Sequence, residues 1–228
     1  MNPTANARGN ILGRLRAAPV ATLPPLPDVK AWFEAQRRNE DLAQRVVRLR
    51  TAMEAVKTEF HDVTQANWPD VLLRIATSRG IGNLLVGSNT AHGDELQARS
   101  LDEFQLLYYE QPIEAWREQL FDRVDASLTS ARSAVAEIGS IILWPTPTEP
   151  RLMSLVPHIH FVLLDASNIH SDLHTAITAE GWNDGLPTNA LLIGGPSKTA
   201  DIQQTLAYGA HGPKELIVLL RHATGAAS

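Results

Sequence analysis

The chain has 228 residues, 44% hydrophobic and 20% charged, which suits a globular protein with a sizeable core. It contains no cysteine, which excludes disulfides, thiolate-held iron–sulfur clusters and a cysteine nucleophile. A net charge of -5 argues against general nucleic-acid binding, which needs a basic excess to displace counterions.

Met1 to Ala18 carries Arg8, Arg14 and Arg16 where a secretory signal would need an apolar segment. No apolar run is long enough to span a bilayer, so the expected compartment is the cytoplasm. Ala5 to Ala18 places Ile11, Leu12 and Leu15 at helical spacing and predicts a short amphipathic arm. The four prolines between Pro19 and Asp28 follow as an extended linker, giving an arm over residues 1–27 and an α/β domain over 28–228. From Val29 to about Lys57 the apolar spacing predicts a long helix broken near Asn39. Its basic cluster, Arg45 to Arg50, is read as a solvated helix face. Beyond it, short apolar strands alternate with helices: strands at Glu59–Val63, Asn83–Gly87 and Phe104–Glu110, and a helix opening near Asn67 and stopping at Gly80. "TAHGDELQAR" is a small helical or turn segment. The second half repeats the rhythm, with a helical turn over "TSARSAVAE" and a helix over "TADIQQTLAYG". The pattern predicts a mostly parallel, Rossmann-like sheet flanked by helices, whose ligands lie beyond the carboxyl ends of the strands.

Three stretches carry candidate chemistry. In "LLIGGPSKTADIQQTL" a strand runs into Gly195, Pro196, Ser197, Lys198 and Thr199, with a helix starting near Ala200 or Asp201. Helix-start amides and these donors form a candidate cradle for a small phosphate or carboxylate, or else a cap cluster without a ligand. The phosphate-loop and dinucleotide glycine spacings are both absent. In "AYGAHGPKEL" a tight turn holds His211, a candidate acid–base group or a turn stabiliser. In "AEIGS", Glu137 lies in an apolar run, where burial would make it a catalytic base or nucleophile, or else it is an outward-facing surface glutamate. His158 and His160 stand two apart on a predicted strand, and with no third ligand evident no metal site is assigned.

These stretches bring a family resemblance into view. "TSARSAVAEIGSIIL", "RLMSLVPHIHF", "GPSKTADIQ" and "GAHGPKELIVLL" resemble, in order, the motifs of the lactate-utilization LUD-domain family, LutC-type. The resemblance covers about Ser127 to Leu220 and departs from the pattern at Ser130, Ile138 and Gln203. It implies a NagB/RpiA/CoA-transferase-like fold and a role in oxidising L-lactate to pyruvate with iron–sulfur partner proteins. It implies no intrinsic cofactor, and it marks Glu137, Gly139, Arg151, His160, Gly195, Pro196, Ser197, Lys198, Thr199, Asp201, His211 and Gly212 as motif residues. A free-standing acyl-CoA or sugar-phosphate enzyme using Glu137 is the alternative. Assembly as a homo-oligomer is left open.

Overall fold

The computed structural model describes residues 3–18, 25–99, 104–200, 206–209 and 212–223. The chain divides into two compact units, Met1–Arg37 and Arg38–Ser228. The first holds α1 (Pro3–Ala17) and α2 (Val29–Gln36). Asp28 caps α2 by accepting from Ala31 N, and Trp32 meets Phe33 edge to face at 4.9 Å.

The second unit opens with α3 (Leu42–Glu54), started by a reciprocal cap between Asp41 and Gln44. The elements that follow are β1 (Glu59–Thr64), α4 (Trp68–Ser78), β2 (Asn83–Val86), α5 (Ala91–Gln97), β3 (Gln105–Tyr108), α6 (Ile113–Asp122) and β4 (Ala126–Ser130). Then come β5 (Ser133–Val135), β6 (Ser140–Leu143), a 3₁₀ turn (Arg151–Ser154), β7 (Ile159–Asp165), β8 (Ile169–His170), α7 (Leu173–Ala179), β9 (Leu191–Ile193), β10 (Lys198–Ala200), β11 (Leu206–Tyr208) and β12 (Glu215–His222).

Among the described residues the main sheet has six strands, ordered β1-β12-β7-β4-β2-β3, and each neighbouring pair is parallel. Its central strands β7 and β12 present apolar residues to both faces, as a doubly covered parallel sheet requires. Phe161, Leu163, Ile217 and Leu219 turn toward α4, where Trp68, Leu72 and Ala76 are fully buried. The intervening Val162, Leu164, Val218 and Leu220 turn toward Leu49 and Met53 of α3. Leu85 meets Trp116 and Leu120 of α6 beside them. The period-two alternation along β7 and β12 therefore feeds two cores at once.

The fold is α/β and mostly parallel, as the sequence predicts, but four local expectations are corrected. Over "TSARSAVAE" there is no helical turn: β4 ends at Ser130, and β5 pairs antiparallel with β6 and parallel with β8. Ser133, Ala134 and Val135 are buried there, and sheet pairing satisfies their amides where a three-residue turn would leave them bare. The strand at "NALLIGG" joins this smaller sheet, ordered β8-β5-β6-β9, by antiparallel pairing with β6. The helix expected from Ala200 begins instead as a hairpin, Lys198–Ala200 antiparallel to Leu206–Tyr208. Cross-strand bonds take up these backbone groups, so the helix-start amides of the expected cradle do not form at Ala200. Finally, β7 starts at Ile159, so exposed His158 precedes the strand while His160 is fully buried within it.

The basic cluster of α3 is committed to ion pairs and a buried carbonyl. Arg45 donates to Ile169 O at 2.5 Å, Arg48 to Glu40 and Arg50 to both oxygens of Asp62 at 2.7 Å. No described helix is long and apolar enough to cross a membrane.

Candidate functional site

Several motif residues of the sequence do converge. Ser197 N donates to Pro213 O at 2.8 Å, and Gly209 N donates to Ser197 O at 2.9 Å. A side chain on Gly212 would press within 3.1 Å of Ser197 Cβ, and one on Gly195 within 2.8 Å of Val56. A Cβ on Gly194 would stand 3.3 Å from Gly139 O. Close backbone approach thus explains these glycines without a ligand. Lys214 N and Glu215 N both donate to His158 O, which fixes Lys214 at the amino ends of β12 and β7. That is the end of the sheet opposite the one where ligands of parallel sheets lie.

The remaining candidates are more scattered. Lys198 is exposed on β10, Thr199 pairs with Ala207 through the backbone, and Arg151 is exposed at the start of the 3₁₀ turn. Asp201 and His211 fall outside the described residues. His160 Nε2 lies 2.9 Å from Thr129 Oγ1, while its Nδ1 is buried without a partner. Burial pushes the His160 pKa down to about 3, so the ring is neutral at physiological pH. Glu137 is not buried: its side chain is 49% exposed and 3.8 Å from Arg48. The desolvation expected to activate it is therefore missing.

At the carboxyl end of the sheet lies a second arrangement, which motif reading passed over. From β2 the chain leaves through α5 to β3 on one side, and from β4 it leaves toward β7 on the other. The gap between β2 and β4 is therefore the topological switch point, where such sheets open a crevice. The β2–α5 loop, Gly87 to Thr90, forms one wall. Thr90 caps α5 by accepting from Gly93 N, and Asn89 takes the left-handed conformation at φ 55°. Ser130, the last residue of β4, forms the other wall.

Across the opening runs the segment from Trp144 to Pro150, "WPTPTEP". It closes on itself, Thr146 N donating to Glu149 O and Glu149 N to Thr146 Oγ1. The Glu149 carboxylate reaches into the crevice, accepting from Ser130 N at 2.9 Å and from Ser130 Oγ at 2.6 Å. His92, on α5, is 8% exposed and its Nε2 lies 3.1 Å from the same carboxylate, without an aligned hydrogen bond. Beside this group a cavity of about 570 Å³ is lined by Ser88, Asn89, Tyr109, Pro147 and Pro150 among others. A larger hollow of about 830 Å³ follows the kinked α6 between Glu114 and Arg123, away from these groups.

The sequence signals for the crevice were a small-residue loop after a buried strand, "VGSNTAHG", and three prolines framing one acid, "PTPTEP". Neither has a fixed spacing that would distinguish it from an ordinary turn.

The chain matches a known family. The LUD domain matches residues 46–220, which contain the smaller sheet, the crevice and all of the six-stranded sheet but the last two residues of β12. The chain belongs to the LUD domain family. Among relatives of this LUD domain, an uncharacterised protein of Neisseria meningitidis serogroup B is 38% identical over 94% of this chain and 93% of its own length. Lactate utilization protein C of an Exiguobacterium species is 29% identical over 73% of each chain, and that of Macrococcus caseolyticus is 25% identical over 72%. The crystal structure of a DUF162 family protein from Deinococcus radiodurans aligns with a TM-score of 0.58 at 18% identity. It covers 80% of this chain and 99% of that one, and at that identity the likeness concerns the fold.

Proposed function

We propose that this LUD domain protein is a cytoplasmic component of an L-lactate utilization system. In this reading it supports oxidation of L-lactate to pyruvate together with iron–sulfur partner proteins, and it binds a small carboxylate. The observation that carries the reading is the LUD match over 46–220, joined to relatives named lactate utilization protein C that align over about three quarters of their length. The composition agrees: a chain without cysteine has no thiolate to hold a cluster, so electrons from lactate would pass through another subunit. The Glu137-based alternative draws no support from the site, because that carboxylate is solvated and paired with Arg48.

The test is deletion of the gene, followed by growth on L-lactate and an oxidation assay in extracts, with affinity capture of the tagged chain. Loss of lactate-dependent growth, restored by the wild-type chain and accompanied by co-purifying iron–sulfur proteins, is the expected result. Undiminished growth and lactate oxidation after deletion would sink the proposal.

A further inference from the structure

The Glu149 carboxylate sits where a ligand would sit. Parallel sheets place their ligands at the switch point, and here that position, between β2 and β4, is filled by an acid from the chain itself. Its surroundings form a recognition set for a carboxylate. Ser130 gives a backbone N–H to one oxygen and a hydroxyl to the other, a two-point grip. His92, more than nine-tenths buried, points Nε2 at the first oxygen yet makes no hydrogen bond there. A buried ring nitrogen within ion-pair distance of the carboxylate but out of line with it marks a site whose occupant fits it imperfectly.

The occupant is also mounted on a separable piece. The turn from Thr146 to Glu149 satisfies its own backbone through Thr146. It rests on Gly87, where a Cβ would come within 2.8 Å of both Glu149 Cγ and Thr148 O. The seat therefore exists only because residue 87 lacks a side chain.

The geometry points to a carboxylate-binding site made of Ser130 N–H, Ser130 Oγ and His92 at the β2–β4 switch point, held closed by Glu149 of the proline strap 144–150. A small carboxylate displaces the Glu149 side chain, and the strap lifts from Gly87 as it does so. The ligand class follows from the chemistry of what now fills the site, and in naming a site for the small carboxylate of the proposed function the inference rests on that reading. Growth on lactate tests that reading, whereas binding to the purified chain tests this one.

The experiment uses the full chain, with sodium L-lactate and sodium acetate as probes and sodium chloride at equal ionic strength as control. Glu149→Ala empties the site, and Gly87→Ala pushes against the strap and also against Thr90 Cγ2, which a Cβ there would approach to 2.8 Å. Calorimetric titration is expected to show both variants binding the probes more tightly than the wild type, by about tenfold if the strap is open about a tenth of the time. Adding Ser130→Ala to either variant is expected to abolish the gain. In the wild type, either probe should speed exchange of the strap's four amide hydrogens, those of Trp144, Thr146, Thr148 and Glu149, relative to chloride, a readout that needs no variant to fold. If the strap's exchange ignores both probes and no folded variant binds them more tightly than the wild type, Glu149 is a structural clamp and the proposal is overturned.

Discussion

His160 shows what a buried polar side chain does to stability when no charge compensates it. The ring lies wholly inside the sheet on β7, with Thr129 Oγ1 against Nε2 and no partner for Nδ1. Burial holds its pKa at about 3, against 6.5 for a free imidazole. Between these values the unfolded chain takes up a proton that the folded chain refuses, so stability rises with pH across the window. The contribution is complete above about pH 6.5 and is lost progressively as the pH falls toward 3. Each unit within the window is worth about 1.4 kcal/mol, so moving from pH 7.5 to pH 5 removes about 2 kcal/mol. Urea denaturation at the two pH values measures this, and His160→Gln should flatten the difference. A carboxylate whose pKa is lowered by folding acts in the same sense as this histidine, but lower on the scale. For Asp62, burial raises the pKa, but hydrogen bonds from Arg50 and His222 outweigh it and hold it below the usual value. Its contribution is therefore lost only as the pH falls through the acidic range below pH 4, outside the interval between pH 7.5 and pH 5 over which His160 is tested.

At the scale of elements, the turn between β5 and β6 illustrates how packing decides a backbone. Gly139 has φ 61°, and a Cβ there would approach Ala52 Cβ of α3 to 2.6 Å. Two costs would follow from Gly139→Ala: left-handed backbone strain of about 1 kcal/mol and a clash with the helix of about 1–3 kcal/mol. The double variant with Ala52→Gly should recover the second and not the first, and urea midpoints of the three variants separate them. The start of α3 gives an independent check. Asp41 Oδ1 accepts from Gln44 N at 2.8 Å, and Gln44 Oε1 accepts from Asp41 N at 3.0 Å. Asp41→Ala removes one half of this reciprocal cap and should cost about 1 kcal/mol by the same measurement. Such elements were legible in the sequence where a period was long enough to show itself. The α3 helix, α4 with its Pro69 in the first turn, and the buried strands β7 and β12 were readable for that reason. The short strands β5 and β10 were not. Three residues such as Ser133–Val135 carry no period, and their conformation is set by partners, β6 and β8, that sequence proximity does not reveal. The crevice escaped for a related reason. His92, Ser130 and Glu149 come from α5, the end of β4 and the proline strap, and only the strand order brings them together.

On the scale of the whole molecule, the order β1-β12-β7-β4-β2-β3 makes the two ends of the chain unequal. The sheet's first strand borders its last, and β12 lies between β1 and β7 with Leu216, Ile217, Val218, Leu219 and Leu220 all buried. Until that strand is in place, β1 has no neighbour and both cores lack their central wall. Burial of five such side chains contributes roughly 7–15 kcal/mol, as much as the entire stability of a typical domain. A chain ending at Pro213 is therefore expected to show no cooperative unfolding transition. The amino end differs, because the buried core clusters among the described residues draw nothing from the unit Met1–Arg37. A chain beginning at Arg38 keeps the Asp41 cap, all of those core residues and the full span of the LUD match. Its urea midpoint should lie within about 0.5 kcal/mol of the intact chain's, the usual scatter for changes away from a core. Denaturation of the two truncations side by side tests the asymmetry. A cooperative transition in the chain ending at Pro213 would mean that β1 and β7 can close on each other without β12, and that the strand order does not set the folding unit.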